Sequence, residues 1–306
     1  MTRCALVLFL CFSSLLFAQS PNRNPNKKEP PILGPHWTRD TAAKINSSGT
    51  NNNLIYHGGP ILPSATIKAI FWGSSWSTYT GDKITGMDKW YSYVGTFSGG
   101  AGSAYEATVN EYTDSTGQRV STATTYQGNV VDGTSLPKHL STSAVLAEVC
   151  KVVGSSVKTN AYYPVYVDRK RGGANYCAYH SWGSCNGTPV EFGFFFNLDG
   201  DAGCDPGSTV GGQSQGLKAL ANVSGHELSE TRSDPNGNAW YSSNGSENGD
   251  QCAWTFGGPY VTFLDGTHWK IQGNWSNYAA TNNTGYTTSL GTGCVDGTNK
   301  AGPFTQ

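Results

Sequence analysis

The sequence predicts a single α/β (or α+β) domain with a mixed sheet and a loop-rich, disulfide-bonded C-terminal part. Three observations carry that reading. Strand-like and helix-like apolar patterns alternate from Leu54 to Thr231 in the order β-α-β-α-β-β-α. Beyond Pro235 only short strand-like pieces, Gly-rich turns and aromatics follow, and every cysteine after the N-terminal segment lies from Cys150 onward. The 16 Tyr, 12 Phe and 9 Trp supply enough buriable surface to rule out a disordered chain.

Residues 1–18 (MTRCALVLFLCFSSLLFA) place Arg3 before an apolar run and Ala18 where cleavage is expected, the pattern of a secretory signal. No later run is long enough to span a membrane. Residues 19–53, rich in Pro, Asn, Lys and Ser, read as a flexible leader, and the domain is expected over 54–306. Ala65–Trp72 (ATIKAIFW) is β-branched and aromatic between Pro63 and Gly73, and reads as a buried strand. Ile84, Met87, Tyr91 and Val94 share one helical face, while residues 104–112 (AYEATVNEY) alternate like a strand with one wet face. Ser141 can cap a helix carrying Val145, Val149 and Val153. Residues 162–167 and 190–198 (VEFGFFFNL) are two further strands, the second apolar enough for the centre of a sheet. Residues 215–231 read as the last helix, with Leu217, Leu220, Ala221 and Leu228 turned inward and Asp234-Pro235 ending it.

Only 13% of the residues are charged and the formal net charge is −1, so the basic face that nucleic acid requires is missing. Export would remove Cys4 and Cys11 and leave an even six cysteines in an oxidising compartment, which suggests three disulfides. Short loops favour Cys177–Cys185 and Cys252–Cys294. A thiolate metal site is disfavoured because the chain has no C-x-x-C pair.

Against that uncharged background the stretch SGHELSETRSDPNGNAWYSSNGSENGDQC, Ser224 to Cys252, stands out. On a helix His226 and Glu230 are four apart, so an imidazole and a carboxylate can reach one ion. Glu227 sits beside them, as the base does in H-E-x-x-H zinc enzymes; this is the zincin-like feature of the predicted helix. A third ligand would come from beyond the helix, where Asp234, Glu247 and Asp250 all follow. Zinc is the expected ion, and the carboxylate content makes calcium or manganese the alternatives. The bland reading is a carbonyl-bonded His226 with solvated glutamates and Arg232 or Lys218 in weak surface pairs.

Other candidates carry less. Asn197, Asp199, Asp201 and Asp205 suggest calcium, but an Asp-Gly turn explains them as well. His180 in CAYHS and His57 in YHGGP can reach a site or serve structure alone, and Ser181 has no evident base. Trp72, Trp76, Trp240, Trp254, Trp269 and Trp275 offer a sugar-stacking surface or, more simply, core.

YHGGPIL at Tyr56 to Leu62 with the following IKAIFWGSSW, CAYHS at Cys177 to Ser181, and GHELSETRSDPNGNAW with E-x-x-D-x-C at Glu247 to Cys252 occur in one order. Together they resemble the Exordium/phosphate-induced protein 1 family over about residues 54–300. The resemblance implies secretion and a role outside the cell; plant members are apoplastic proteins linked to growth and phosphate response. It supplies no reaction. Plant patterns often carry Asn-Pro where Asp234-Pro235 stands, which moves the third ligand to Glu247 or Asp250. The signal without a plant-like leader suits a bacterial relative. Two functions follow as expectations. One is a secreted metal-dependent hydrolase acting on polypeptides, with Glu227 as base. The other is a non-catalytic module that binds a wall polysaccharide or surface partner around a structural ion. Neither needs nucleic acid or a membrane span, and both leave oligomeric state open.

Overall fold

The computed structural model describes residues 29–46, 53–95, 105–207, 211–289 and 291–298; the signal-like stretch 1–18 lies outside them. Its elements begin earlier than the sequence suggests. β1 (Leu33–Trp37) and α1 (Arg39–Asn46) fall within the expected leader, and β1 pairs antiparallel with the sheet. The leader reading is therefore corrected over 29–46. Pro35 and Gly34 hide the strand from a periodicity argument, since both residues are poor strand formers.

β2 (Ile55–Tyr56) precedes β3 (Ala65–Trp72), which is the strand the sequence predicts, residue for residue. Then come α2 (Lys83–Tyr93), β4 (Thr124–Asp132), α3 (Thr142–Val153), β5 (Ala161–Lys170), β6 (Tyr176–Cys185), β7 (Thr188–Asn197) and α4 (Gln215–Ser233). The main sheet is six-stranded and mixed, in the order β1-β6-β7-β5-β3-β4. β4, β3, β5 and β7 run parallel; β6 runs against them, and β1, antiparallel to β6, closes that side in the direction of the parallel strands.

Position parity on β6 assigns the two faces. Gly183 abuts Leu146 of α3, and His180, three residues away, points to α4, so these helices lie on opposite sides of the sheet. Ser141 caps α3 and Ser214 caps α4, each side chain accepting an amide at 3.1 Å. Val145, Val149 and Val153 are buried as expected, as are Leu217, Leu220, Ala221 and Leu228. Every residue of α4 from Gly216 to Ser233 is buried, however, polar ones included. The sheet covers one side, and loops bearing Asn248 and Asn274 cover another: Ser229 Oγ lies 2.8 Å from the side-chain oxygen of each.

The strand expected over 104–112 is instead a 3₁₀ helix, Tyr105–Val109. Its supposed wet positions face inward, because Glu106 Oε2 accepts from Arg232 Nη1 at 2.7 Å and both side chains are fully buried. Arg232 also donates to Leu62 O and Pro63 O, so it is a structural cation rather than a surface one. Burial raises the Glu106 carboxyl and lowers the Arg232 guanidinium, and their mutual attraction opposes both shifts.

The disulfides are Cys150–Cys185, Cys177–Cys204 and Cys252–Cys294. The third matches expectation; the Cys177–Cys185 pairing does not. Both cysteines sit on β6. Eight residues of strand separate them by roughly 26 Å at about 3.3 Å per residue, far beyond disulfide reach. No helix among the described residues is long and apolar enough to cross a membrane.

Replacing Glu106 by Gln leaves the Arg232 charge buried without its counter-ion. Urea unfolding of E106Q should show a loss of about 3–5 kcal/mol, and the double variant E106Q/R232M should recover part of it.

Candidate metal centre

The site is built on α4. Its i, i+4 spacing sets His226 Nε2 3.2 Å from Glu230 Oε1. Asp234 caps the helix and turns the chain: its Oδ1 accepts the amides of Asn238 and Ala239, both at 2.7 Å. The returning loop is pinned to α4 by Asn248, whose Nδ2 donates to Ser229 O and Ser233 Oγ. Cys252–Cys294 ties its far end to the strand Gly291–Val295. Asp250 is thereby delivered with Oδ1 3.7 Å from His226 Nε2, and its amide donates to Glu230 Oε1 at 3.0 Å. The Glu247 amide donates to Asp250 Oδ2 at 3.1 Å. From the sheet, His180 brings Nε2 to 3.3 Å from Glu247 Oε2 and 3.9 Å from Glu230 Oε2.

Two sets of three could hold an ion among the described residues: His226, Glu230 and Asp250, and His180, Glu230 and Glu247. The sequence-predicted ligands His226, Glu230, Glu247 and Asp250 thus converge, and His180 joins them. Asp234 lies next to the cluster but spends one oxygen on the turn. His57 does not join: it is exposed and stacks on Tyr241 at 3.6 Å.

Glu227 is turned toward the strands. Its Oε1 accepts the His36 amide of β1 at 3.2 Å, and the nearby His180 backbone of β6 favours the ionised carboxyl. His36 escaped the sequence reading, as did Asn222 and Gln272. The His36 ring packs edge-on against His226 at 4.4 Å and Trp254 at 4.6 Å. Gln272 Oε1 meets His36 Nε2 at 3.0 Å, while its Nε2 donates to Gly249 O at 2.8 Å and lies 3.1 Å from His226 Nδ1. Asn222 Oδ1 accepts the Gln272 amide. The aromatic pair His36-Trp37, lone of its kind in an otherwise polar stretch, was the available signal.

His180, His226, Glu227 and Glu230 are fully buried, and Glu247 nearly so. Burial, reinforced by neighbouring carboxylates, pushes Glu227, Glu230 and Glu247 well above the ordinary carboxyl range; burial alone raises Asp250, against the opposing pull of His226 and the Glu247 amide. Burial also lowers His180 to about 3 and His226 to about 4, so both imidazoles stay neutral near pH 7, the form that ligates metals. His226 Nε2, Glu227 Oε2, Glu230 Oε2 and Glu247 Oε2 are buried without a hydrogen-bond partner. Such a concentration of unsatisfied buried polar atoms, three of them carboxyl oxygens, is costly unless a proton or a cation meets it.

Two backbones close the pocket. Gly34 of β1 has φ +42°, and a Cβ there would fall 2.0 Å from Glu230 Oε2 and 2.8 Å from His180 Nε2. A Cβ at Gly249 would lie 2.8 Å from His226 Nδ1. A cavity of about 310 Å³ between α1 and the C-terminal loops is lined by Arg39, Gln251, Trp254 and Thr255, among others, and by none of the possible ligands.

The weaker candidates resolve as structure. Lys83 bonds Asn197 and Asp199, and Arg171 bonds Asp201, so cationic side chains already hold that turn. Ser181 Oγ donates to Pro31 O. Trp72, Trp76, Trp269 and Trp275 are core, which leaves no continuous stacking face for them to form. Comparisons of the chain with protein-family models, curated proteins and solved structures find no match.

Gly34→Ala adds a methyl group where none fits, at a φ that disfavours L residues. Hydrogen exchange of residues 33–37 should rise sharply while β7 stays protected, with a stability loss of about 1–3 kcal/mol. Unchanged exchange in β1 would show that the strand does not press on Glu230.

Proposed function

We propose that the chain is a secreted, Exordium-like protein built around a divalent-cation centre on α4, and that this centre serves hydrolysis of polypeptides. The observation that carries the reading is the convergence of His226, Glu230 and Asp250, with buried ligand atoms left unpartnered. The charges acting most strongly on Glu230 are the carboxylates of Asp250 and Asp234, rather than Lys or Arg. Two imidazoles beside the carboxylates favour zinc over calcium, with manganese the nearer alternative. Export rests on the signal-like stretch 1–18 and agrees with three disulfides.

A bound dication would supply Lewis acidity toward a substrate carbonyl and toward water. Glu227 is the residue that would move the proton. It is adjacent to His226 on α4, yet its Oε1 is engaged by the His36 amide. Its other oxygen has no hydrogen-bond partner, but the β1 backbone at Gly34 lies against Glu230 and His180, so substrate access requires β1 to leave first. β1 is an edge strand, so it can detach without breaking the β6–β7 pairing. Once it departs, Glu227 loses that donor, and the exposed edge of β6 offers main-chain bonds to an extended peptide.

A second reading has its own support. Because the cluster is buried, an ion there would equally suit a structural role in a module that binds a wall polysaccharide or another surface partner. Metal analysis and cleavage of a denatured polypeptide separate the two, using wild type and Glu227→Gln. The hydrolase reading expects both proteins to retain the ion, with cleavage in the variant reduced about 10²–10⁴-fold. Ion retained with no cleavage by wild type selects the structural role; no ion in wild type removes the cation centre altogether.

A further inference from the structure

The two possible ligand sets share only Glu230, and they use different oxygens of it. Oε1 faces His226 and receives the Asp250 amide, whereas Oε2 faces His180 on the sheet side. From this geometry we infer that the pocket holds two divalent cations bridged by the Glu230 carboxylate. His226 and Asp250 complete one site; His180 and Glu247 complete the other. The inference rests on the cation centre proposed above and extends it from one ion to two.

Distances agree with this division. Ligands at about 2.0–2.1 Å from a tetrahedral zinc lie about 3.3 Å from one another. The His226–Glu230 contact is 3.2 Å and the His180–Glu247 contact is 3.3 Å; His226–Asp250 at 3.7 Å and His180–Glu230 at 3.9 Å are slightly open, and the ligand atoms of each set all lie within 4.8 Å of one another. A carboxylate that presents one oxygen to each site is the usual bridge for ions about 3.5–4 Å apart. Orphaned atoms occur on both sides of it: His226 Nε2 on one, Glu230 Oε2 and Glu247 Oε2 on the other.

His180 belongs to β6 and Glu247 to the returning loop, so the second ion would also lock the sheet to the C-terminal layer.

Metal content of the full disulfide-bonded chain tests this. The protein is stripped with chelator, reloaded with Zn²⁺, passed through a desalting column and measured by elemental analysis. Two equivalents per chain are expected in wild type. His180→Ala and Glu247→Gln should each fall to one, and Glu230→Gln below one. Because a variant can fail to fold, wild type reloaded with Mn²⁺ gives an independent reading: its electron paramagnetic resonance spectrum should show a spin-coupled pair. One equivalent in wild type, with an isolated-Mn²⁺ spectrum and no change in His180→Ala, overturns the second site and leaves the first. No retained metal in wild type overturns both.

Discussion

The buried charge of α4 is the constraint on which the rest of this structure depends. A helix between a sheet and a loop layer would ordinarily be apolar all round. Here it carries His226, Glu227, Glu230 and Arg232 with no exposed residue from Gly216 to Ser233. Each charged group has to be answered locally. Arg232 is answered by Glu106 and three carbonyl groups. Glu227 is answered by the His36 amide of β1 and the nearby His180 backbone of β6. Glu230 and Glu247 are answered only in part, which is what singles out their pocket. In a medium that stabilises ions poorly, an unanswered carboxylate stays protonated or attracts a cation.

That constraint explains features that look unrelated in isolation. Gly34 and Gly249 are glycines because their backbones lie against ligand atoms, where a Cβ would collide. The side chains of Asn248, Asn274 and Gln272 all turn toward α4 to satisfy polar groups there. Trp254, held at φ 61°, donates its indole N–H to Trp37 O and packs against His36, so it clamps β1 over the pocket. A bulky residue at positive φ is uncommon, and it persists here because contacts on both sides fix it.

Much of this was legible in the sequence, and the parts that were not share a cause. Apolar period found β3, α2, α3, β5, β7 and α4 because each buries a continuous apolar face. It missed β4, whose alternating burial leaves it half wet at the sheet edge, β1, which is short and interrupted by Gly34 and Pro35, and β6, whose buried positions include the polar His180 and Ser181. Residues 104–112 misled for the opposite reason: polarity stood for exposure, yet Glu106 points at a buried arginine. At the site, the i, i+4 spacing and the acid-rich loop were local signals and brought together His226, Glu230, Glu247 and Asp250. His36 and Gln272 reach the same pocket from more than 40 residues away in sequence. The His36-Trp37 pair stands out from its polar stretch but does not point to α4, because only the fold brings these residues near it.

The position of β1 bears on whether the centre can act on anything. It is paired on one side only, through an irregular ladder in which Leu33 faces His180 and His36 faces Ala178. The irregularity falls at Gly34-Pro35, where the strand crosses Glu230. Near this crossing the His36 amide turns to the Glu227 carboxyl group, and the His180 backbone favours its ionised form. The carboxylate that would serve as base is thus also the group that fastens the strand covering it. A structural ion would require only that the pocket stay shut. A carboxyl group fastened through one oxygen to a detachable edge strand, with its other oxygen unpartnered, would be needless for that purpose, because an apolar residue at 227 would fill the space without leaving a buried polar atom unsatisfied. Retaining a glutamate at the point where β1 meets the pocket favours a centre that opens.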